Sequence, residues 1–181
     1  MDNNSIYTLK STDGRARRGE VLTGHGAVQT PVFMPVGTSG AVKSLTCEDL
    51  ESCGAEIILG NTYHLYLRPG SDVVAKAGGL AKFNSWNKPT LTDSGGYQVF
   101  SHRDRNKITD EGVSFRSHID GSLHLFTPER AMEIQHELGA DIIMAFDQCV
   151  AYPATTEEAS DGVRRTFDWA QRSKARHEEL S

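Results

Sequence analysis

Residues 127–147, TPERAMEIQHELGADIIMAFD, hold one helix followed by one strand, and the fold is read outward from them. Thr127 offers a side-chain oxygen that caps a helix. Pro128 suits the first helical position because it has no N–H to place there, and Gly139 ends the helix. Ala140 to Phe146 is then a short apolar run closed by Asp147. A run without alternation, next to a helix, is the pattern of a parallel strand buried on both faces.

The same rhythm recurs upstream. Thr30 to Gly37 is an apolar run closed by glycine, and Leu45 to Cys53 reads as a short helix with Thr46 as cap and Gly54 as stop. Glu56 to Asn61 is the next strand, Ser71 to Ala77 the next helix, and Thr90 to Asp93 a further strand. Residues 112–126 read as a hairpin turning at Asp120-Gly121, and Thr156 to about Leu180 is helical again. Before all of these, residues 1–29 alternate weakly, with turn signals at Asp13-Gly14 and Gly24-His25-Gly26, and predict an antiparallel lead-in. Residues 30–181 then make about four strand–helix units within one domain spanning 1–181.

An open doubly wound sheet and part of a (β/α)8 barrel both fit this alternation. Three strands end on polar residues (Asn61, Asp93 and Asp147), which favours the barrel, where chemistry sits at the C-terminal strand ends. A full barrel takes about 250 residues, and four units leave a sheet edge unclosed, so the expectation is an incomplete, N-terminal part of a barrel.

Composition narrows the class. With 38% hydrophobic and 24% charged residues, the 181-residue chain is of globular and not disordered type. It has no apolar run long enough to span a membrane, and Met1 to Ser5 lack the basic and apolar parts of a secretory signal. The three cysteines, Cys47, Cys53 and Cys149, form no Cys-x-x-Cys pair, which together with the missing signal favours a reducing cytoplasm. A net charge of −5 lacks the basic surplus of a dedicated nucleic-acid binder. A basic surface must be local, with Arg15, Arg17 and Arg18 the nearest candidate, or lie elsewhere; a solvated turn between edge strands explains that cluster equally well.

The most informative stretch is Thr92-Asp93-Ser94-Gly95-Gly96-Tyr97-Gln98. A carboxylate at a strand end is followed by a small hydroxyl, two glycines that let backbone approach a flat ligand, and an aromatic face for stacking. A tight turn with an Asp cap explains the same pattern. Phe146-Asp147-Gln148-Cys149 places a second carboxylate at a strand end. Two carboxylates suit acid/base work at a glycosidic carbon, and they suit guanine, whose Watson–Crick edge presents adjacent N–H donors. Either Asp alone also fits a cap on the next helix. Cys47 and Cys53 read as small buried thiols, His64 and His118 as structural, and Phe167, Trp169 and Arg172 as helix packing. No phosphate-binding, dinucleotide or nucleophile-elbow motif is present.

Several motifs in order resemble the tRNA-guanine transglycosylase (queuine tRNA-ribosyltransferase) family. They are Phe33-Met34-Pro35-Val36-Gly37-Thr38, Ile58-Leu59-Gly60-Asn61-Thr62-Tyr63-His64-Leu65, Leu67-Arg68-Pro69-Gly70, residues 91–101, residues 115–122 and Tyr152-Pro153-Ala154-Thr155. The resemblance covers nearly the whole chain. It implies an irregular (β/α)8 barrel and exchange of an anticodon guanine of tRNA for a 7-deazaguanine in queuosine biosynthesis. It makes Asp93 the general acid/base. Ser94, Gly95, Gly96 and Tyr97 would line the base pocket with Tyr97 stacking, Asp147 would hold the guanine edge, and Cys149 would lie beside the deazaguanine substituent. Residues 147–149 resemble bacterial members, which usually carry Glu where this chain has Gln148. The family's nucleophilic aspartate and its zinc site of three cysteines and one histidine match no residue here, so the resemblance implies zinc and a homodimer for the full-length enzyme and inactivity for this stretch alone. A non-catalytic half-barrel that pairs with another chain, and a glycosidase using Asp93 and Asp147, are the alternatives.

Overall fold

The structure, a computed structural model, describes residues 6–101 and 106–181. The start at Met1–Ser5, inspected for a leader, lies outside the described residues.

The chain opens with an antiparallel meander of β1 (Tyr7–Asp13), β2 (Ala16–Thr23) and β3 (Gly26–Thr30), its turns where Asp13-Gly14 and Gly24-His25-Gly26 put them. Next come β4 (Val36–Gly37), α1 (Cys47–Ser52), β5 (Ile58–Gly60), α2 (Thr62–Leu67), α3 (Ser71–Lys76) and α4 (Leu80–Phe83). Then follow β6 (Thr90–Thr92), α5 (Gly96–Ser101), β7 (Asn106–Ile108), β8 (Val113–Arg116), β9 (Leu123–Phe126), α6 (Pro128–Leu138), β10 (Ile142–Ile143) and α7 (Thr156–Leu180).

The caps behave as the residue types require. Thr46 and Thr155 both close capping boxes, with Asp49 and Glu158 respectively, while Thr127 receives the Arg130 N–H ahead of Pro128. Gly139 ends α6 in the left-handed conformation that a side chain disfavours.

β4, β5, β6 and β10 form one parallel sheet, in the order β10-β6-β5-β4. Each strand therefore lies beside its successor within the sheet, with no reversal of direction. A doubly wound sheet reverses its strand order at a switch point, and a barrel does not. The fold is mixed α/β, with this parallel sheet preceded by the antiparallel meander. β7, β8 and β9 add a separate antiparallel sheet after α5. The β8–β9 hairpin lies in the expected span, whereas α2, α4, α5 and β7 were not foreseen.

The main core gathers Tyr63, Leu65, Val74, Leu80, Phe126, Ile134, Leu138, Phe146 and Trp169 beneath the parallel sheet's helices. Phe146 and Trp169 stack at 5.0 Å between ring centroids, which fixes α7 against the segment that carries Asp147. Trp169 also donates its indole N–H to the Asp110 carbonyl at 2.8 Å. Arg172 grips Glu129 through two bonds of 2.7 Å each, tying α7 to α6.

Four expectations need correction. Of the run 30–37, Thr30 closes β3 and only Val36 and Gly37 join the parallel sheet, while Phe33 between them stands 80% exposed outside any strand. Cys53 is exposed and not a buried thiol. Phe167 is 62% exposed, so of its trio Trp169 packs, Arg172 forms an ion pair with Glu129 and Phe167 does neither. The strand expected over residues 140–147 pairs only at Ile142 and Ile143, for a reason that lies in the site.

Candidate active site at the strand exits

Register places the strand exits side by side. Gly37 pairs with Gly60, Gly60 with Thr92, and Thr92 with Ile143, so Asn61 and Asp93 emerge at one level. Asp147 lies further along, four positions past the last paired residue of its strand. The chain between is held by helices instead of by a strand. The Met144 N–H goes to Gln135 Oε1 at 2.9 Å, the Phe146 N–H to Ser173 Oγ at 3.3 Å, and the Gln148 N–H to Thr166 Oγ1 at 3.0 Å. Every second amide is thus satisfied by a side chain of α6 or α7, which is why no ladder is needed there.

Asp93 is a hub of donors. Its Oδ1 accepts the Thr62 N–H at 2.9 Å and the Gly95 N–H at 3.2 Å. Its Oδ2 accepts the side-chain amides of Asn61 and of Gln98, the latter at 3.2 Å. An ionised carboxylate has acceptor sites for all four, and they fix its orientation. Among the described residues Gln98 Oε1 is buried and has no hydrogen-bond partner. Asn61, Thr62 and Gln98 were not foreseen as partners of Asp93. The signal was available for Asn61, which closes β5 in the register position next to it.

Ser94 ties Asp147 to the loop that follows Asp93. Its hydroxyl donates to Asp147 Oδ1 at 2.9 Å and receives the Gly96 N–H at 3.1 Å. Gly95 has φ +77, a conformation that residues bearing a Cβ rarely adopt. At Gly96 a Cβ would stand 2.9 Å from both the carbonyl oxygen and Oδ1 of Asp147, so the hydrogen there is what lets the carboxylate approach. Cys149 lies 3.6 Å from Asp147 Oδ2 as a thiol donor. Burial, and then the Asp147 charge, push the Cys149 thiol up to about 11, so it stays protonated at neutral pH.

The Tyr97 ring is 70% exposed and forms one wall of a cavity of about 200 Å³, with Phe100, Ser101, Cys149, Val150 and Ala151. A neighbouring cleft of about 310 Å³ passes from Cys149 over Gln148 to Arg165, Glu158 and Asp161. Gln148 accepts a bond from the Arg165 guanidinium, which also meets Asp110 at 2.9 Å. The loop here is notched into α7: Val150 Cγ2 comes within 2.3 Å of where a Cβ on Gly162 would stand.

The other candidates lie elsewhere. Tyr63 hydroxyl and His118 Nδ1 are 2.9 Å apart, in keeping with a hydrogen-bonded structural role for His118. The Arg15–Arg18 stretch belongs to the β1–β2 hairpin. That meander is pinned to the entry side of the sheet, where Asp141, just ahead of β10, accepts the His25 N–H at 3.0 Å and the Thr90 N–H at 3.0 Å. The Arg cluster is therefore carried by the sheet docked at the end opposite Asp93. No three His, Cys, Asp or Glu side chains converge to hold a metal among the described residues. The Cys47 thiol donates to the Asn84 carbonyl and the Cys149 thiol to Asp147, so a zinc ion has no fitting cysteine set here. No helix among the described residues is long and apolar enough to cross a membrane.

The sequence model of queuine tRNA-ribosyltransferase matches residues 12–181. A queuine tRNA-ribosyltransferase of Oleidesulfovibrio alaskensis is 56% identical over 168 residues, covering 93% of this chain and 45% of its own length. One from Desulforapulum autotrophicum is 58% identical over 165 residues, covering 91% and 45%. One from Moorella thermoacetica is 59% identical over 156 residues, covering 86% and 42%. The chain thus spans somewhat under half the length of the curated relatives it matches.

Proposed function

Because this chain belongs to the queuine tRNA-ribosyltransferase family, we propose that it supplies the base-recognising part of a bacterial-type tRNA-guanine transglycosylase. The substrates are a tRNA with guanine in its anticodon and a 7-deazaguanine base, and the full-length enzyme works in the cytoplasm as a homodimer. The one observation that carries the reading is the Ser94 bridge: a single hydroxyl brings Asp147 to the loop of Asp93, next to a cavity walled by Tyr97 and Cys149. The sequential order of β4, β5, β6 and β10 supports part of a (β/α)8 barrel whose strand exits face the substrate.

In this reading Asp147 accepts the adjacent N–H donors of the guanine edge, which adenine does not present. Tyr97 stacks on the heterocycle, and the Ser94–Gly96 backbone lies along its rim. The Cys149 thiol, kept protonated, is an uncharged wall beside the ring substituent. In the exchange the bond between ribose C1′ and guanine breaks as C1′ bonds to the nucleophile, and the leaving base takes up a proton. The incoming base gives one up as it bonds to C1′. Asp93, entering the exchange in its protonated form, delivers the first proton and, left ionised, receives the second, which restores it. To do so it exchanges at least one of its four donors for the base, and Gln98, whose amide oxygen already lacks a partner, is the donor most readily released. The nucleophilic aspartate and the zinc ligands match no residue of this chain, so no ribose attack is assigned to it. Gln148 leaves the Arg165 charge to be balanced by Asp110.

Titration of guanine and adenine into the protein tests this. Guanine binding with adenine excluded is expected; equal binding of both would remove Asp147 from base recognition, and binding of neither would overturn the reading.

A further inference from the structure

Gln135 is a polar residue on the apolar face of α6, between Ala131, Ile134 and Leu138, and it is 0% exposed. Its amide makes four hydrogen bonds. Oε1 accepts the Thr92 hydroxyl at 2.9 Å and the Met144 N–H at 2.9 Å. Nε2 donates to the Met144 carbonyl at 2.9 Å and to the Ala131 carbonyl at 3.1 Å. Three of the four reach the exits of β6 and β10, whose ladder stops at the pair Thr92–Ile143. Thr92 immediately precedes Asp93, and Met144 begins the segment that ends in Asp147.

We propose that Gln135 is a positioning residue that sets the separation of Asp93 and Asp147 by clamping the exits of their two strands to one amide. The inference rests on the reading of the site given above, and it extends it from the residues that would touch the base to one that acts through them. Beyond the Thr92–Ile143 pair the backbone no longer joins the two strands, yet both carboxylates lie beyond it. One planar amide supplies what the missing rungs would have supplied, an acceptor and a donor to the same residue of the neighbouring strand. Other side chains do not fit. Glutamate lacks the donor, leucine and methionine lack both functions, and asparagine is one methylene too short. Ser173 and Thr166 then hold the chain from Met144 to Asp147 against α7, and the next tie comes only beyond both exits, where Ser94 meets Asp147. The fixed point between the two strand exits is therefore Gln135.

The test uses this chain with Gln135→Leu, which removes both functions, and Thr92→Val, which cuts only the tie to β6 and keeps the shape of a buried side chain. Two readouts are taken: guanine affinity, and the alkylation rate of Cys149, whose thiol lies 3.6 Å from Asp147 Oδ2 and reports whether that carboxylate has moved. Thr92→Val is expected to lower guanine affinity several-fold and to speed Cys149 alkylation at unchanged circular dichroism, with Gln135→Leu lowering affinity by about ten-fold or more. Wild-type affinity and alkylation rate in Thr92→Val would overturn the clamp, even where Gln135→Leu fails to fold. If the wild-type protein binds no guanine, it is the proposed function that fails. The Cys149 comparison then still decides whether Gln135 places Asp147.

Discussion

Asp141 and Asp147 stand at opposite ends of the same strand region, and their surroundings differ in kind. Asp141, at the entry, has a side chain only 2% exposed and is fully engaged. Its Oδ1 faces the His25 backbone N–H and Nδ1, and its Oδ2 takes the Thr90 N–H. Asp147, at the exit, has among the described residues one hydroxyl and one thiol as partners. A thiol is a weak donor and Asp147 has two partners where Asp141 has three, two of them backbone amides on different oxygens, so Asp147 keeps more acceptor capacity for a ligand. The entry end of the sheet holds the fold together, and the exit end holds groups in readiness.

Substitution of Asp147 should therefore change function at little cost in stability, and substitution of Asp141 the reverse. The largest effect belongs to Asp93→Asn in a full-length polypeptide containing these residues, where guanine exchange is expected to fall at least about a thousand-fold. The fold should survive with a lowered melting temperature, since the new amide nitrogen faces donors that the carboxylate accepts, and normal exchange would remove Asp93 from proton transfer. Next, Asp147→Ala should weaken guanine binding by about 3 kcal/mol, somewhat over a hundred-fold, because charged hydrogen bonds to the base are lost. Calorimetric titration reads this directly, and an unchanged affinity would break the contrast at its exit side.

Asp141→Ala should do the opposite and lower unfolding free energy by about 2 kcal/mol, since the Thr90 and His25 amides lose their acceptor. Denaturant melts should register that loss with guanine affinity intact. Gly96→Ala is a finer probe. Its methyl pushes on the Asp147 carboxylate and should cost about 1 kcal/mol of base affinity, several-fold, in the same titration. The smallest effect concerns the thiols. Exposed Cys53 should alkylate before Cys149 at pH 8. The Cys149 thiol holds its proton more tightly folded than unfolded, so its linkage lowers stability as pH rises from the ordinary 9.0 to about 11 and is absent below that window. A melt series with Cys149→Ala should be flatter across it.

The helix caps at Thr46 and Thr127 and the stop at Gly139 were legible because each depends on residues adjacent in sequence. Strand exits were legible as polar residues closing apolar runs. What failed were segments whose state is set by distant partners. Thr62–Leu67 falls in no expected element, because its buried residues, Thr62, Tyr63 and Leu65, show no helical period over so short a span. The run 140–147 reads as one strand but pairs only at Ile142 and Ile143, because the amides of Met144, Phe146 and Gln148 bond to Gln135, Ser173 and Thr166 of the helices. Gln135 itself carried a usable sign, an amide on the same face as Ala131 and Leu138. The aspartates of the site were visible individually, whereas the Ser94 hydroxyl that joins them was not.

Gly162 sits mid-helix in α7, where glycine costs about 1 kcal/mol against alanine, and the helix runs through it unbroken. The cavity it leaves is filled by Val150 of the loop that carries Cys149. A directed-evolution campaign for heat tolerance that scored helix formation alone would enrich alanine here. Its winners would have a firmer α7 and a displaced wall beside Tyr97. The weak point of the helix is a seat for the loop, and hardening the protein at that position would blunt it.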